Sequence, residues 1–237
     1  MKNQIKIVLL AVVLLTAGHV SAYDFGVDGI YYNVVSLPDL TAEITYESSN
    51  TPYSFAKFSI PAKVTFMGRT FTIVKIGERA FEDCRNLTSV TIPESVTEIG
   101  ENAFYRCSRL SSITIPESVT EIGEYAFLNC SSLSSITIPE SVTEIEKYAF
   151  SGCSSLSSIT ILGNVNKIAT RTFSGCSSLS SIAISESITE IGEYAFSGCS
   201  TIPESVTEIE KYAFSGCSSL SSITIPENVT EIEKNAF

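Results

Sequence analysis

Seven cysteines, Cys84, Cys107, Cys130, Cys153, Cys176, Cys199 and Cys217, are the most reactive side chains of this 237-residue chain. The first six recur every 23 residues, and none stands in the C-x-x-C spacing of a zinc or dithiol site. Glutamates share the period: Glu94, Glu117 and Glu140 at one position, Glu98, Glu121 and Glu144 at another. Paired carboxylates could act as a glycosidase acid and base, or as calcium ligands. No Asp-rich calcium loop and no GGxGxD repeat accompanies them. Two carboxylates about 5 Å apart in water repel by only ~0.8 kcal/mol before screening, so a solvated acidic ladder stands without an ion. The one histidine, His19, lies in the leader described next, so no imidazole remains for Ser-His or Cys-His catalysis or for a histidine-bound zinc. Neither catalysis nor a cofactor is expected.

The leader reads as an address. Lys2 and Lys6 precede the apolar run Ile7 to Ala17, which is too short to span a bilayer. Val20 and Ala22 then occupy the small-residue positions of a cleavage site, so residues 1–22 are expected to be a signal peptide. No other segment is long and apolar enough for a transmembrane span, and no cysteine near the cut suggests a lipid anchor. The chain is 44% hydrophobic and 17% charged, which argues against disorder. Its net charge of −11 becomes −13 without Lys2 and Lys6, so it lacks the basic footprint that nucleic-acid binding requires.

The 23-residue period marks a repeat, and residues 137–161 are identical to residues 201–225. Each unit carries Leu-x-x-Ile-x-Ile, as at Leu110, Ile113 and Ile115, the core of a leucine-rich repeat in which one short strand per coil joins a parallel sheet. Pro93, Pro116, Pro139, Pro203 and Pro226 end that strand, because proline cannot donate to the ladder. The β-prone Val-Thr-Glu-Ile that follows predicts a second short strand on the opposite side. Ala126, Phe127 and Cys130 have helical spacing and predict one short helical turn. The glycine before cysteine in four units suits a C-cap or a tight turn. The fold class is therefore a β-rich solenoid, whose coils close a core only by stacking on one another. At about 4.8 Å per coil, Phe81, Phe104, Phe127, Phe150, Phe173, Phe196, Phe214 and Phe237 form one core ladder. Cysteines in such a ladder come within disulfide reach, and export permits oxidation; side chains that point the same way beside phenylalanine favour reduced, buried thiols.

The motif Ile-Pro-x-x-Val-Thr-x-Ile-Gly-x-x-Ala-Phe-x-x-Cys-x-x-Leu resembles the BspA-type leucine-rich repeat of bacterial surface proteins, over about residues 69–237. The stretch Tyr23 to Asn33 is similar to the region that precedes such arrays in Bacteroidetes. The resemblance implies a secreted or surface solenoid that binds extracellular or host proteins, in some members for adhesion, and it implies no catalytic residues.

Residues 23–68 differ in composition and read as an N-terminal β-rich cap. Its strands are expected at Ile30–Val35, Thr41–Tyr46 and Ser54–Ile60, covering the open edge of the first coil. Residues 69–237 then hold about seven to eight coils, the last incomplete. The coil at 199–203 lacks five residues between Cys199 and Pro203, including an inward Leu and Ile, and is expected to pack poorly and to interrupt the strand wall. The unit 159–181 departs from the others at Asn164, Lys167 and Arg171, which bring positive charge into an acidic array and form a candidate specificity patch. The candidate protein-binding face is the outward side of the first strand: Ser112, Thr114, Ser135, Thr137, Ser158, Thr160, Ser181, Ala183, Ser222 and Thr224. Such small hydroxyls make a flat surface suited to a macromolecule. The alternative is a spacer or coat element without a specific ligand, which near-identical repeats would also serve.

Overall fold

Over the described residues the chain winds into coils that place strands on two walls, so that side chains one period apart stack in files. The computed structural model describes residues 23–46, 52–184, 187–199, 208–217 and 229–237. Strands β1 (Phe25–Val27), β2 (Ile30–Ser36) and β3 (Thr41–Thr45) form an antiparallel meander. They are followed by β4 (Lys57–Ser59), β5 (Lys63–Phe66) and β6 (Arg69–Ile76). β6 pairs antiparallel with β5 and parallel with β3, then passes the ladder to the Glu98–Ile99, Glu121–Ile122 and Glu144–Ile145 strands. β4 joins the other wall, in parallel with Ser89–Thr91. The N-terminal strands thus enter both walls and share one apolar core with the coils. Three of the expected strands are present as β2, β3 and β4; β1 and β5 are additional.

The Leu-x-x-Ile-x-Ile wall holds Ser135–Ile138, Ser158–Ile161 and Ser181–Ile184 in parallel register, so Ile136 meets Ile159 and Ile159 meets Ile182. The Val-Thr-Glu-Ile wall forms the expected second strands, each two residues long, because isoleucine alone faces inward between glutamate and a glycine or acid. Leu110, Leu133, Leu156, Phe104, Phe127 and Phe150 are fully excluded from solvent between the walls. The phenylalanine rings stack at centroid spacings of 5.1 to 5.7 Å from Phe81 to Phe237.

The expected helical turn is absent: the third side of each coil is a run of tight turns. Ala126 N–H donates to Gly123, Leu128 to Tyr125 and Cys130 to Phe127, each three residues back. The amides between them, of Tyr125, Phe127 and Asn129, donate instead to Lys147, Ala149 and Ser151 of the next coil. This alternation requires left-handed backbone at two points per coil, as at Tyr125 (φ 58°) and Asn129 (φ 61°), which a helix forbids. Gly152, Gly175, Gly198 and Gly216 supply the second point in four coils, so the tight-turn reading of these glycines holds.

The five-residue deletion leaves two of these three sides continuous. Glu190–Ile191 still pairs with Glu208–Ile209, and Phe196 N–H reaches the Ala213 carbonyl at 2.9 Å. On the remaining wall, Ser181–Ile184 is the last strand among the described residues, and residues 200–207 lie outside them.

Candidate interaction surfaces

Strand alternation turns the isoleucines of the Ser135–Ile138 and Ser158–Ile161 strands inward and their hydroxyl residues outward. Ser135, Ser158 and Ser181 stand in one register row; Thr137, Thr160 and Ala183 stand in the next. Ser112 belongs to the shorter sheet that contains Ser89–Thr91, and Thr114 follows its strand. Ser222 and Thr224 lie outside the described residues. Among the described residues, no intramolecular hydrogen bond occupies the hydroxyls of Ser112, Thr114, Ser135, Thr137, Ser158 or Thr160. The serines one position earlier behave differently: Ser134 donates to the Ser111 carbonyl and Ser157 to the Ser134 carbonyl. One row of hydroxyls therefore ties coils together, and the neighbouring rows make no such bond.

The three residues of the candidate patch, Asn164, Lys167 and Arg171, have different surroundings. Lys167 takes the register position of a glutamate, opposite Glu190, and its Nζ holds both Glu190 and Glu210, the latter at 2.9 Å. Arg171 lies between two rings, its guanidinium carbon 5.6 Å from Tyr148 and 4.6 Å from Tyr194, and it donates to the Tyr148 hydroxyl at 3.1 Å. Asn164 is exposed. Its neighbour Gly163 is obligatory, since a Cβ there would sit 2.3 Å from the Val142 carbonyl oxygen. This coil's departure at 162–164 is therefore a packed alternative to Pro-Glu-Ser.

A half-exposed tyrosine file went unnoticed in the sequence. Tyr125 and Tyr148 rings lie 4.9 Å apart, Arg171 follows, and Tyr194 and Tyr212 again lie 4.9 Å apart. Its signal was the spacing of Tyr125, Tyr148 and Tyr194 by one and then two 23-residue periods, which helical-turn reasoning had no reason to place on one outer edge. Beside the file runs an acidic groove of about 440 Å³, lined by Lys75, Glu98, Glu121, Glu124, Glu146 and Lys147, among others. Lys75 pairs with Glu98 at 2.5 Å and Lys147 with Glu124 at 3.1 Å. Partial burial, with the charges of Glu98 and Glu144 adding to it, raises the Glu121 carboxyl above its ordinary range.

The cysteines do structural work. All seven are free, and all but Cys217 are buried. Each thiol from Cys107 onward donates to a phenylalanine carbonyl of the preceding coil, as Cys107 does to Phe81 at 3.0 Å and Cys130 to Phe104 at 3.2 Å. Burial pushes the Cys153 thiol up to about 12, away from the thiolate that nucleophilic chemistry needs. Among the described residues, no cluster of three His, Cys, Asp or Glu side chains is arranged to hold a metal ion, and no helix is long and apolar enough to cross a membrane.

The family description "BspA type Leucine rich repeat region" matches residues 74–202 and 200–237, with six copies of the repeat. A leucine-rich cell surface protein from Faecalibacterium prausnitzii has a similar solved structure, 36% identical with a TM-score of 0.74. The alignment covers 91% of this chain and 56% of that one, so the chain spans little more than half the length of that relative. A leucine-rich repeat protein of Treponema pallidum is 23% identical over 76% of this chain and 91% of its own, at TM-score 0.60. The pneumococcal vaccine antigen PcpA is 19% identical over 86% of this chain and 65% of its own, at TM-score 0.64. These last two likenesses concern the fold alone. No curated protein matches the chain.

Proposed function

Because the chain belongs to the BspA type leucine-rich repeat family, we propose that it is an exported, non-catalytic binding module that holds protein partners on its outward Ser/Thr strand face. The observation that carries this reading is the set of six hydroxyls, Ser112 to Thr160, that the chain leaves free of internal hydrogen bonds. A flat row of unused donors and acceptors matches a macromolecular surface better than a small molecule. The signal-peptide pattern of residues 1–22 and the cell-surface description of the Faecalibacterium relative support export, and the Tyr23–Asn33 leader favours a source among Bacteroidetes. Residues 23–68 act as a cap that covers the first coil and lengthens both walls; β4 and β3 support this by adding a parallel strand to one wall each. Asn164, Lys167 and Arg171 mark where one coil differs from its neighbours within the array. The test is capture: residues 23–237, immobilised, should retain specific proteins from extracellular matrix or from partner cells. Recovery of nothing beyond a serine-rich control surface would overturn the reading.

One observation favours a second reading, a spacer without a specific ligand: residues 137–161 and 201–225 are identical, and a specific site ordinarily needs unlike residues in unlike places. Equal matrix capture by wild type and by a chain with altered strand-face residues would support it.

A further inference from the structure

The carboxylate pair that holds Lys167 recurs twice in the chain without its lysine, at Glu121 with Glu146 and at Glu208 with Glu233, and the first of these lines a groove. Glu190 follows Lys167 by one coil in the same file, and Glu210 lies one further coil and two residues on. Glu121 and Glu146 stand in that same relation, and the place equivalent to Lys167 is taken by Glu98. Glu98 is held by Lys75, and Lys147 is held by Glu124. Among the described residues, Glu121, Glu144 and Glu146 make no ion pair. Glu121 and Glu146 line the acidic groove, and the Tyr125–Tyr148 step runs beside it. One coil further, the same tyrosine file already receives a cation, because Arg171 lies against Tyr148 and Tyr194. The chain thus carries an occupied copy of a cation receptor, Lys167 between two carboxylates, and leaves the equivalent pair Glu121 and Glu146 open.

We propose that this open groove receives the lysine and arginine side chains of an extended basic segment of a partner protein, with an ammonium between Glu121 and Glu146. The net charge of −11 draws such a segment in, and the internal copy at Lys167 fixes the chemistry that seats it. This surface is distinct from the strand face, so either can fail while the other stands.

The probe is a fluorescent decapeptide of alternating lysine and serine, with a glutamate–serine decapeptide as control, titrated against residues 23–237 at low salt. Glu121→Gln with Glu146→Gln should weaken binding by about tenfold, whereas Glu94→Gln with Glu117→Gln, the same change of charge elsewhere, should weaken it less than about twofold. Glu98→Lys, which sets a lysine where Lys167 stands in the other copy at the cost of the Lys75–Glu98 pair, should abolish binding in a chain that still melts cooperatively. Three results would overturn the proposal: absence of binding to the wild-type chain, equal loss in both Gln pairs, which would mean a diffuse acidic field, or displacement of the peptide by calcium at matched ionic strength, which would mean a metal site.

Discussion

The rings of Phe196 and Phe214 stack 5.7 Å apart and 5° from parallel, although 18 residues rather than 23 separate them in the chain. The aromatic file, the turn ladder and the Glu-Ile wall therefore run past the five-residue gap. Lys167 reinforces that crossing by holding Glu190 on one side of the gap and Glu210 on the other.

A wall that lacks a buried Leu and Ile loses on the order of 2–5 kcal/mol for each, concentrated at one coil interface. Inserting Ser-Leu-Ser-Ser-Ile after Ser200 should raise hydrogen-exchange protection of residues 201–237 toward that of residues 113–158. If the unaltered chain already protects both segments equally, the five-residue deletion does not limit the stack.

Thiol reactivity separates the buried file from its end. Six cysteines are buried, and burial pushes the Cys84 and Cys153 thiols up to about 12, so at pH 8 they are protonated as well as shielded. Iodoacetamide should modify at most Cys217, which is half-buried, in the native chain, and all seven cysteines after denaturation without reductant. Fewer than seven under denaturing conditions would reveal disulfides and contradict the free-thiol file.

Left-handed backbone at the turn corners predicts opposite effects for opposite substitutions. Gly175 (φ 75°) has room for a Cβ, its nearest neighbours being at 3.6 Å, so Gly175→Ala should cost about 1 kcal/mol through the backbone alone. Arg106 (φ 58°) stands where four other coils have glycine, and Arg106→Gly should gain up to about 1 kcal/mol once the chain-entropy cost of glycine is deducted. Thermal or denaturant melts showing the same sign for both would refute the turn assignment.

The raised Glu121 carboxyl gives a pH signature. A carboxyl whose folded pKa lies above its unfolded value destabilises the fold above the folded pKa and has no effect below the unfolded one, about 4.3. Glu121→Gln should therefore stabilise the chain at pH 7, and the gain should vanish by about pH 3. A gain that persists at pH 3 would assign the effect to packing rather than charge.

Much of this architecture was legible because identical residues at a constant period must stack. Phe81 to Phe237, the leucines of the strand motif and the Glu-Ile pairs fell where the period put them. The turn side was misread because Ala126, Phe127 and Cys130 have helical spacing, whereas the conformation is decided by the residues between them, Tyr125 and Asn129, whose amides bond across coils. The partners of Lys167 and Arg171 were hidden for a related reason. Each is held by residues from neighbouring coils, 23 to 43 positions away, and the tyrosine edge emerges only when the turns set Tyr148 and Tyr194 on either side of Arg171.

The strand-face reading stands or falls on one comparison of two charge-matched variants. Thr137→Lys with Thr160→Lys places two bulky cations among the free hydroxyls, and Thr120→Lys with Thr143→Lys places two on exposed threonines of the other wall. Binding of each chain to the matrix or cell fraction that the wild-type chain captures should be measured by surface plasmon resonance, with folding verified by melting. Loss of binding in the first variant, by about tenfold or more, with retention in the second is the predicted result. Equal binding by wild type and both variants would contradict a binding role for the Ser/Thr face.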